Sequence, residues 1–500
     1  MEEDEGPIEP QPRGIWPSMA RDEGICMLPS LKLLLRRVCW TTLCAIALAG
    51  CGSTPPQRVR FTTDFASGSI GAVTQQDGTG HAWRLALRDD NANPSLPSRY
   101  RTWWHVRAEN LPVGQPVRLE FSRLGFPYYF VPVYSHDGRT WQYFDEKDVT
   151  LAPGCVVSVP ESCRLTVVKT FQHPTVWIAR TFPYTSVDLA GFLASISGHP
   201  AVQVSALGLS PVLRLPIQQI TIDDRTQLTP KKTVWIQARS HAAETGPSFV
   251  LEGLIRAVLA DDALGHVLRR RFVFQIVPMH NPDGVDLGNY RTNGRSVNLE
   301  KQWHFTAPNA YLDGYAPMEN RLLNHFGMVP VLQEQDAVAP VVLALNLHAS
   351  NADADTAAFF YPHFGSDPAR YTPAQQNLWQ QQIAFIEAVA RAYDGRIEQP
   401  PAEGGAGFLD FAFPETWWWT QRQDAVNAIT LETVYGRAGF DHWVTQADLR
   451  KLGVAVARAI AQFDPPVAGV TSSARPAPGN PSGPAYRQQP RPDLYLLERE

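Results

Sequence analysis

From Val187 onward, short apolar runs alternate with longer amphipathic stretches, and this alternation restricts the chain to a small set of folds. Residues 212–223, 233–239, 272–277, 341–347 and 428–432 read as strands. Residues 186–196, 248–259, 375–393 and 446–463 carry helical periodicity. Pro247 stands just ahead of the second helix, where a missing N–H costs nothing. The pattern predicts an α/β catalytic domain over 186–465, with a mixed β-sheet flanked by helices. Upstream, residues 103–108, 117–121, 163–170 and 176–181 read as short strands separated by turns, with little helical periodicity. Residues 60–185 are therefore expected to form an all-β sandwich. Residues 466–500 are rich in Pro, Ser and Gly and read as a disordered tail.

Several of the catalytic-domain runs end on, or contain, residues that bind metals. His241 and Glu244 lie in Ser240-His241-Ala242-Ala243-Glu244-Thr245, just after the run 233–239. His348 follows the run 341–347, and Glu432 sits in Ile429-Thr430-Leu431-Glu432-Thr433. Sites in open α/β sheets form at the edge where parallel strands end. Two histidines and one glutamate are a ligand set for catalytic zinc, which keeps a position open for water. A fourth carboxylate, Glu432, then serves as general base for that water. The bland alternative for Glu432 is a salt bridge, but a carboxylate within an apolar strand is costly without a purpose. A His-x-x-Glu pair is weak by itself, and its force here comes from His348 and the motifs downstream. Asn346, Ser350 and Asn351 flank His348 and are candidates to orient it. His105, His173 and His325 read as structural, and Asp283 and Gly284 as turn formers. Trp417, Trp418 and Trp419 either line a pocket or enter the core.

A chain of 500 residues, 44% of them hydrophobic, has ample material for two domains. The net charge of -5, without a basic block, gives nucleic-acid binding no electrostatic support. Residues 27–53 read as a secretory signal: Lys32, Arg36 and Arg37 precede an apolar stretch too short for a comfortable membrane span. It ends in Leu48-Ala49-Gly50-Cys51, which resembles a bacterial lipobox and implies a lipid anchor on Cys51. The alternatives are an ordinary signal cleaved after Ala49 and an uncleaved helix. Residues 1–50 are thus an upstream segment and signal peptide, with Met27 a possible true start, and 51–59 a tether. The expected location is the periplasmic face of a bacterial membrane, the outer one because Gly52 is no retention signal. Cys26, Cys39 and Cys44 precede the cleavage point. Cys155 and Cys163 remain and suit a small disulfide loop in an oxidising compartment, the alternative being two reduced thiols.

With these residues in place, the chain resembles the zinc carboxypeptidase family, in its cytosolic-carboxypeptidase-like branch. Phe182-Pro183-Tyr184-Thr185 resembles that branch's Pro-Tyr-Thr element, and His241 to Thr245 resembles its His-Pro-Gly-Glu-Thr motif. Asn281-Pro282-Asp283-Gly284 and Gly288-Asn289-Tyr290-Arg291 follow in the family's order. The resemblance implies one zinc ion per chain, held by His241, Glu244 and His348. It also implies that Glu432 activates water and protonates the leaving amine, and that Arg291 stabilises the oxyanion. The implied substrate is a peptide or protein C-terminus. One stretch departs from the pattern. Where the family reads Asp-Leu-Asn-Arg-x-Trp, with Asn and Arg holding the substrate carboxylate, this chain reads Asn298-Leu299-Glu300-Lys301-Gln302-Trp303. Lys301 lacks the guanidinium fork, and Glu300 brings a negative charge to the place where a carboxylate docks. Substrate choice is therefore expected to differ: a basic C-terminal residue, an amino-sugar-linked peptide or an amide. The rivals are a cell-wall peptide amidase or endopeptidase on the same zinc site and a non-catalytic peptide-binding lipoprotein. The mobile Tyr that such enzymes carry before the catalytic Glu has no identified counterpart.

Overall fold

A computed structural model describes residues 58–463, apart from 157–158, 227–229, 336–337, 403, 406–408 and 410–412. The segments read above as a signal peptide, most of a tether with Cys51, and a 466–500 tail lie outside the described residues.

The first part of the described chain forms two five-stranded sheets packed face to face. One sheet runs in the order Arg60–Thr62, His105–Glu109, Val176–Ala179, Val133–Ser135, Gln142–Tyr143, antiparallel throughout. The other runs Val73–Gln75, Ala82–Ala86, Pro116–Ser122, Arg164–Thr170, Val149–Leu151. It has one parallel pair, between Ala82–Ala86 and Pro116–Ser122. Val117, Leu119 and Phe121 point inward onto Trp104, Leu165, Val167 and Ile178, as the period-two pattern requires. Cys155 and Cys163 are disulfide-bonded at the edge of this core.

His105 is buried in the sandwich among Phe65, Trp103 and Trp141, with Nδ1 2.9 Å from the Ser67 hydroxyl. Burial pushes the imidazole down to about 3, so it stays neutral in the fold. The unfolded chain takes up that proton below about pH 6.5, so this contribution is complete above that pH and is lost as the pH falls towards 3. At about pH 5 the loss is expected to be about 2 kcal/mol. Urea midpoints of the wild type and His105→Phe at acidic and neutral pH check this. Equal acid sensitivity in both proteins refutes it.

The second part is built on a seven-stranded mixed sheet. Its order is Val202–Leu209, Pro216–Ile222, Phe272–Val277, Lys232–Ala238, Val341–Ser350, Asn427–Val434, Phe359–Tyr361. The four inner strands, from Phe272–Val277 to Asn427–Val434, are parallel to one another, and the outer pairings are antiparallel. The inner strands are apolar almost throughout because both faces are covered. Val234 and Ile236 enter the core beneath the helices Gly246–Leu259, Pro373–Ala392 and Gln446–Gln462. Trp235 points the other way, into a second core with Trp303, Trp417 and Trp418. Gly246–Leu259 and Gln446–Gln462 cross backbone to backbone. A Cβ on Gly253 would lie 2.0 Å from the Arg450 carbonyl oxygen, and one on Gly453 2.0 Å from that of Val250.

The edge strand Val202–Leu209 has no counterpart in the sequence reading, and the predicted run 212–223 begins only at Pro216. Val202–Leu209 is half exposed, so it lacks the apolar run that marks the inner strands. The helices Ala263–Arg271 and Pro414–Arg422 likewise have no counterpart among the predicted elements. The Trp run lies on the latter, with Trp417 and Trp418 as core residues.

Candidate metal centre

Parallel pairing of the inner strands aligns the candidate residues at one edge of the sheet. His348 is in register with Glu432, and Asn346 with Thr430, two residues deeper on the same face. The strand Lys232–Ala238 ends short of the predicted Arg239, which takes a left-handed φ of 66° and turns the chain. The buried Arg239 guanidinium then bonds the Ala242 and Tyr184 carbonyl oxygens and the Ser248 hydroxyl, which holds the loop bearing His241 and Glu244. Pro247 falls within the first turn of the following helix, which starts at Gly246, two residues before the predicted start.

His241, Glu244 and His348 converge. Glu244 Oε1 lies 2.7 Å from His241 Nδ1, and Oε2 lies 2.9 Å from His348 Nδ1. The two Nδ1 atoms are 3.1 Å apart. All three side chains are buried, and among the described residues they are the group placed to hold a metal ion. Two imidazole nitrogens and a carboxylate aimed at one point are a donor set that fits zinc. The Ala349 N–H donates to Glu244 Oε2 and fixes the carboxylate.

Each histidine has a partner on its far nitrogen, the arrangement that orients a metal-binding imidazole. His241 Nε2 is 3.0 Å from Asn298 Oδ1. His348 Nε2 is 3.1 Å from Glu300 Oε2, an ion-pair contact outside hydrogen-bond geometry. A proton on His241 Nε2 towards Asn298 leaves its Nδ1 lone pair for the metal. Burial works against a proton on His348, but Glu300 and Glu244 together raise its pKa well above the ordinary value. Burial also raises the Glu300 carboxyl; the charges of His348 and His241 and the Asn346 amide overcome this and leave it at about 2.

The flanking residues do not act as the sequence suggested. The Asn346 amide oxygen has no hydrogen-bond partner, so it does not hold the His348 ring. Its amide donates instead to Glu300, at 2.7 Å, and to Glu415, at 3.0 Å. Asn351 accepts from Arg180 and donates to the Tyr290 hydroxyl. Glu415, which the sequence reading missed, also accepts the Thr430 hydroxyl at 2.6 Å. Burial, then repulsion from Glu300, push the Glu415 carboxyl up to about 7.

Glu432 is the one residue of its strand that is not fully buried, and its Oε2 has no hydrogen-bond partner. Burial, then the charge of Glu244, push its carboxyl up to about 8, against the opposing charges of His348 and Arg291. Arg291 Nη1 lies 3.9 Å from Glu244 Oε1. Lys301 lies half-buried, with Nζ 5.9 Å from the centre of the Phe413 ring.

Comparison with known proteins follows the same division. The zinc carboxypeptidase pattern matches residues 200–329, and the cytosolic carboxypeptidase N-terminal domain pattern matches 61–180. The first match includes His241, Glu244 and Arg291 and ends before His348 and Glu432, which reach the site through strand register. The chain is 29% identical over 275 residues to cytosolic carboxypeptidase 6 of Homo sapiens, covering 52% of each. It spans about half the length of the first such relatives. The fold is that of a metallo-carboxypeptidase from Burkholderia cenocepacia, at 23% identity and a TM-score of 0.64, covering 81% of this chain and 99% of that one. The Pseudomonas aeruginosa metallo-carboxypeptidase matches at 21% identity and a TM-score of 0.63, covering 81% of this chain and 98% of that one. This chain therefore carries a zinc carboxypeptidase domain behind a cytosolic carboxypeptidase N-terminal domain.

Proposed function

We propose that the protein is a zinc-dependent metallocarboxypeptidase that hydrolyses C-terminal peptide bonds. The observation that carries this reading is the convergence of His241, Glu244 and His348 beside a partnerless carboxylate oxygen of Glu432. Zinc bound there supplies a Lewis acid and lowers the pKa of a bound water towards about 7. Glu432 Oε2 accepts the proton of the attacking water and returns it to the leaving amine nitrogen. The Arg291 guanidinium, at the rim of the site, faces the oxygen that gains negative charge. Asn298 holds His241 in the tautomer that leaves Nδ1 free, and the Glu300 charge favours a proton on the His348 nitrogen nearest it.

Glu300 is turned to His348 and is not available to dock a substrate carboxylate, which leaves Lys301 as the cation of that element. Glu300 lies beneath the His348–Glu432 row and places a negative charge under the site. Of the substrates weighed above, this favours a basic C-terminal residue. Incubation of the zinc-loaded chain with a peptide library, read by mass spectrometry beside Glu432→Gln, tests the reading. Loss of single C-terminal residues, Lys and Arg foremost, is the expected result. Internal cuts refute the carboxypeptidase activity, and release of C-terminal Glu alone refutes the basic preference.

The lipid anchor on Cys51 and a location on the periplasmic face of a bacterial membrane, the outer one, belong to the same proposal. Their support is the sequence Leu48-Ala49-Gly50-Cys51 and the Cys155–Cys163 disulfide, which suits an oxidising compartment. Incorporation of labelled palmitate that survives in Cys51→Ser overturns the anchor.

A further inference from the structure

The sandwich reaches the loop that bears Arg291 through one fully buried carboxylate. Asp90 opens the short turn Asp90–Ala92, in which Asn91 and Ala92 both take positive φ, 51° and 54°. Its Oδ1 accepts the Tyr290 backbone N–H at 2.6 Å. Its Oδ2 accepts the N–H groups of Arg291 and Thr292, both at 2.9 Å, and the Thr292 hydroxyl at 3.0 Å. Three successive main-chain N–H groups around one carboxylate form a nest, a concavity made for an anion. Here the anion is a side chain of the other half of the molecule.

The neighbouring bonds serve the same loop. The Asn91 N–H donates to Asn289 Oδ1, and its amide donates to the Asn293 carbonyl and the Ser296 hydroxyl. Asn289 donates back to Asn91 Oδ1. Arg88 donates to the Leu287 carbonyl oxygen at 2.6 Å. The Arg291 guanidinium itself lies 5.8 Å from the centre of the Tyr100 ring. On its far side the loop is tied to the metal-binding turn, because the Ala243 N–H donates to the Tyr290 carbonyl. One carboxylate thus fixes the main chain on both sides of Arg291, one residue from a direct link to the His241–Glu244 turn.

We propose that Asp90 is a positioning residue for Arg291, so that the N-terminal sandwich completes the active site. The proposal rests on the peptidase reading above. The two halves are also joined away from this loop: Glu146 accepts from Arg437 and from the Trp443 indole. A carboxylate that merely joined the halves would behave like Glu146.

The test uses the full zinc-loaded chain and a peptide that the wild type cleaves. Asp90→Asn keeps the shape, removes the charge and turns an amide towards N–H donors. It is expected to lower kcat about 10–100-fold, the cost of misplacing a group by an ångström or so. Zinc content should be retained and KM should change less than kcat. In an Arg291→Ala background the same substitution should cost less than about threefold, because the two residues act as one unit. Glu146→Gln should leave kcat unchanged. Equal losses from Asp90→Asn with and without Arg291, or a lower thermal midpoint with unchanged kcat, overturn the proposal. If Asp90→Asn does not fold, Asn91→Ala takes its place, with a smaller kcat loss that again requires Arg291. If the wild type cleaves no peptide, the peptidase reading fails separately. Hydrogen exchange over residues 287–296 then decides: faster exchange in Asp90→Asn than in Glu146→Gln sustains the positioning role, and equal exchange refutes it.

Discussion

Glu432→Gln should lower kcat on a cleaved peptide by about 10²–10⁴-fold while bound zinc stays in place. Glutamine has the same shape, and the parallel pairing of residue 432 with His348 is made by the main chain, so the strand and the ligand beside it should not move. Glu432 is not among the three residues that converge on the metal position. What the substitution removes is a proton acceptor. The pH dependence has a definite sign. The working form of a general base is the ionised carboxylate, so kcat/KM rises as pH increases through its pKa. In the metal-free chain burial, then the charge of Glu244, push that carboxyl up to about 8. A cation held by His241, Glu244 and His348 favours the ionised form, so the rising limb should lie below pH 8 in the zinc-loaded protein. Profiles of kcat/KM against pH for both proteins check this. A variant that keeps the limb and most of its rate would move the base elsewhere.

Three of the candidate site residues are legible in the sequence for a physical reason. His241 and His348 follow runs that are apolar because both faces of an inner strand are covered, and Glu432 interrupts one. The partners that orient the histidines carry no such mark. Asn298 and Glu300 lie in and beside a single 3₁₀ turn, and Glu415 lies on a short helix whose sequence is dominated by tryptophans. The resemblance to the family motif implies a place for Glu300 at the substrate carboxylate. Its position against His348 follows from tertiary packing. Asn346 illustrates the same limit, because it shares a strand face with His348, yet tertiary packing brings Glu300 and Glu415 to its amide. Asp90, some 200 residues from the loop it holds, has no local signal at all.

The division between ligand and orienting partner predicts a graded loss of zinc. Glu300→Gln keeps the volume of the side chain but gives up the charge that faces His348 Nε2. Loss of such an orienting partner costs about 10–100-fold in metal affinity. Glu244→Gln should cost more than that range, because Glu244 spans both histidines and its carboxylate is the negative charge of the ligand set. The new amide would also face the Ala349 N–H, setting a donor against a donor. Competition with a chromophoric chelator measures the three affinities directly, without reference to turnover. The expected order is wild type, then Glu300→Gln, then Glu244→Gln. Should Glu300→Gln bind zinc as tightly as the wild type, Glu300 does not orient His348, and its charge acts on the substrate alone. A Glu244→Gln protein of undiminished affinity would remove this carboxylate from the metal centre altogether.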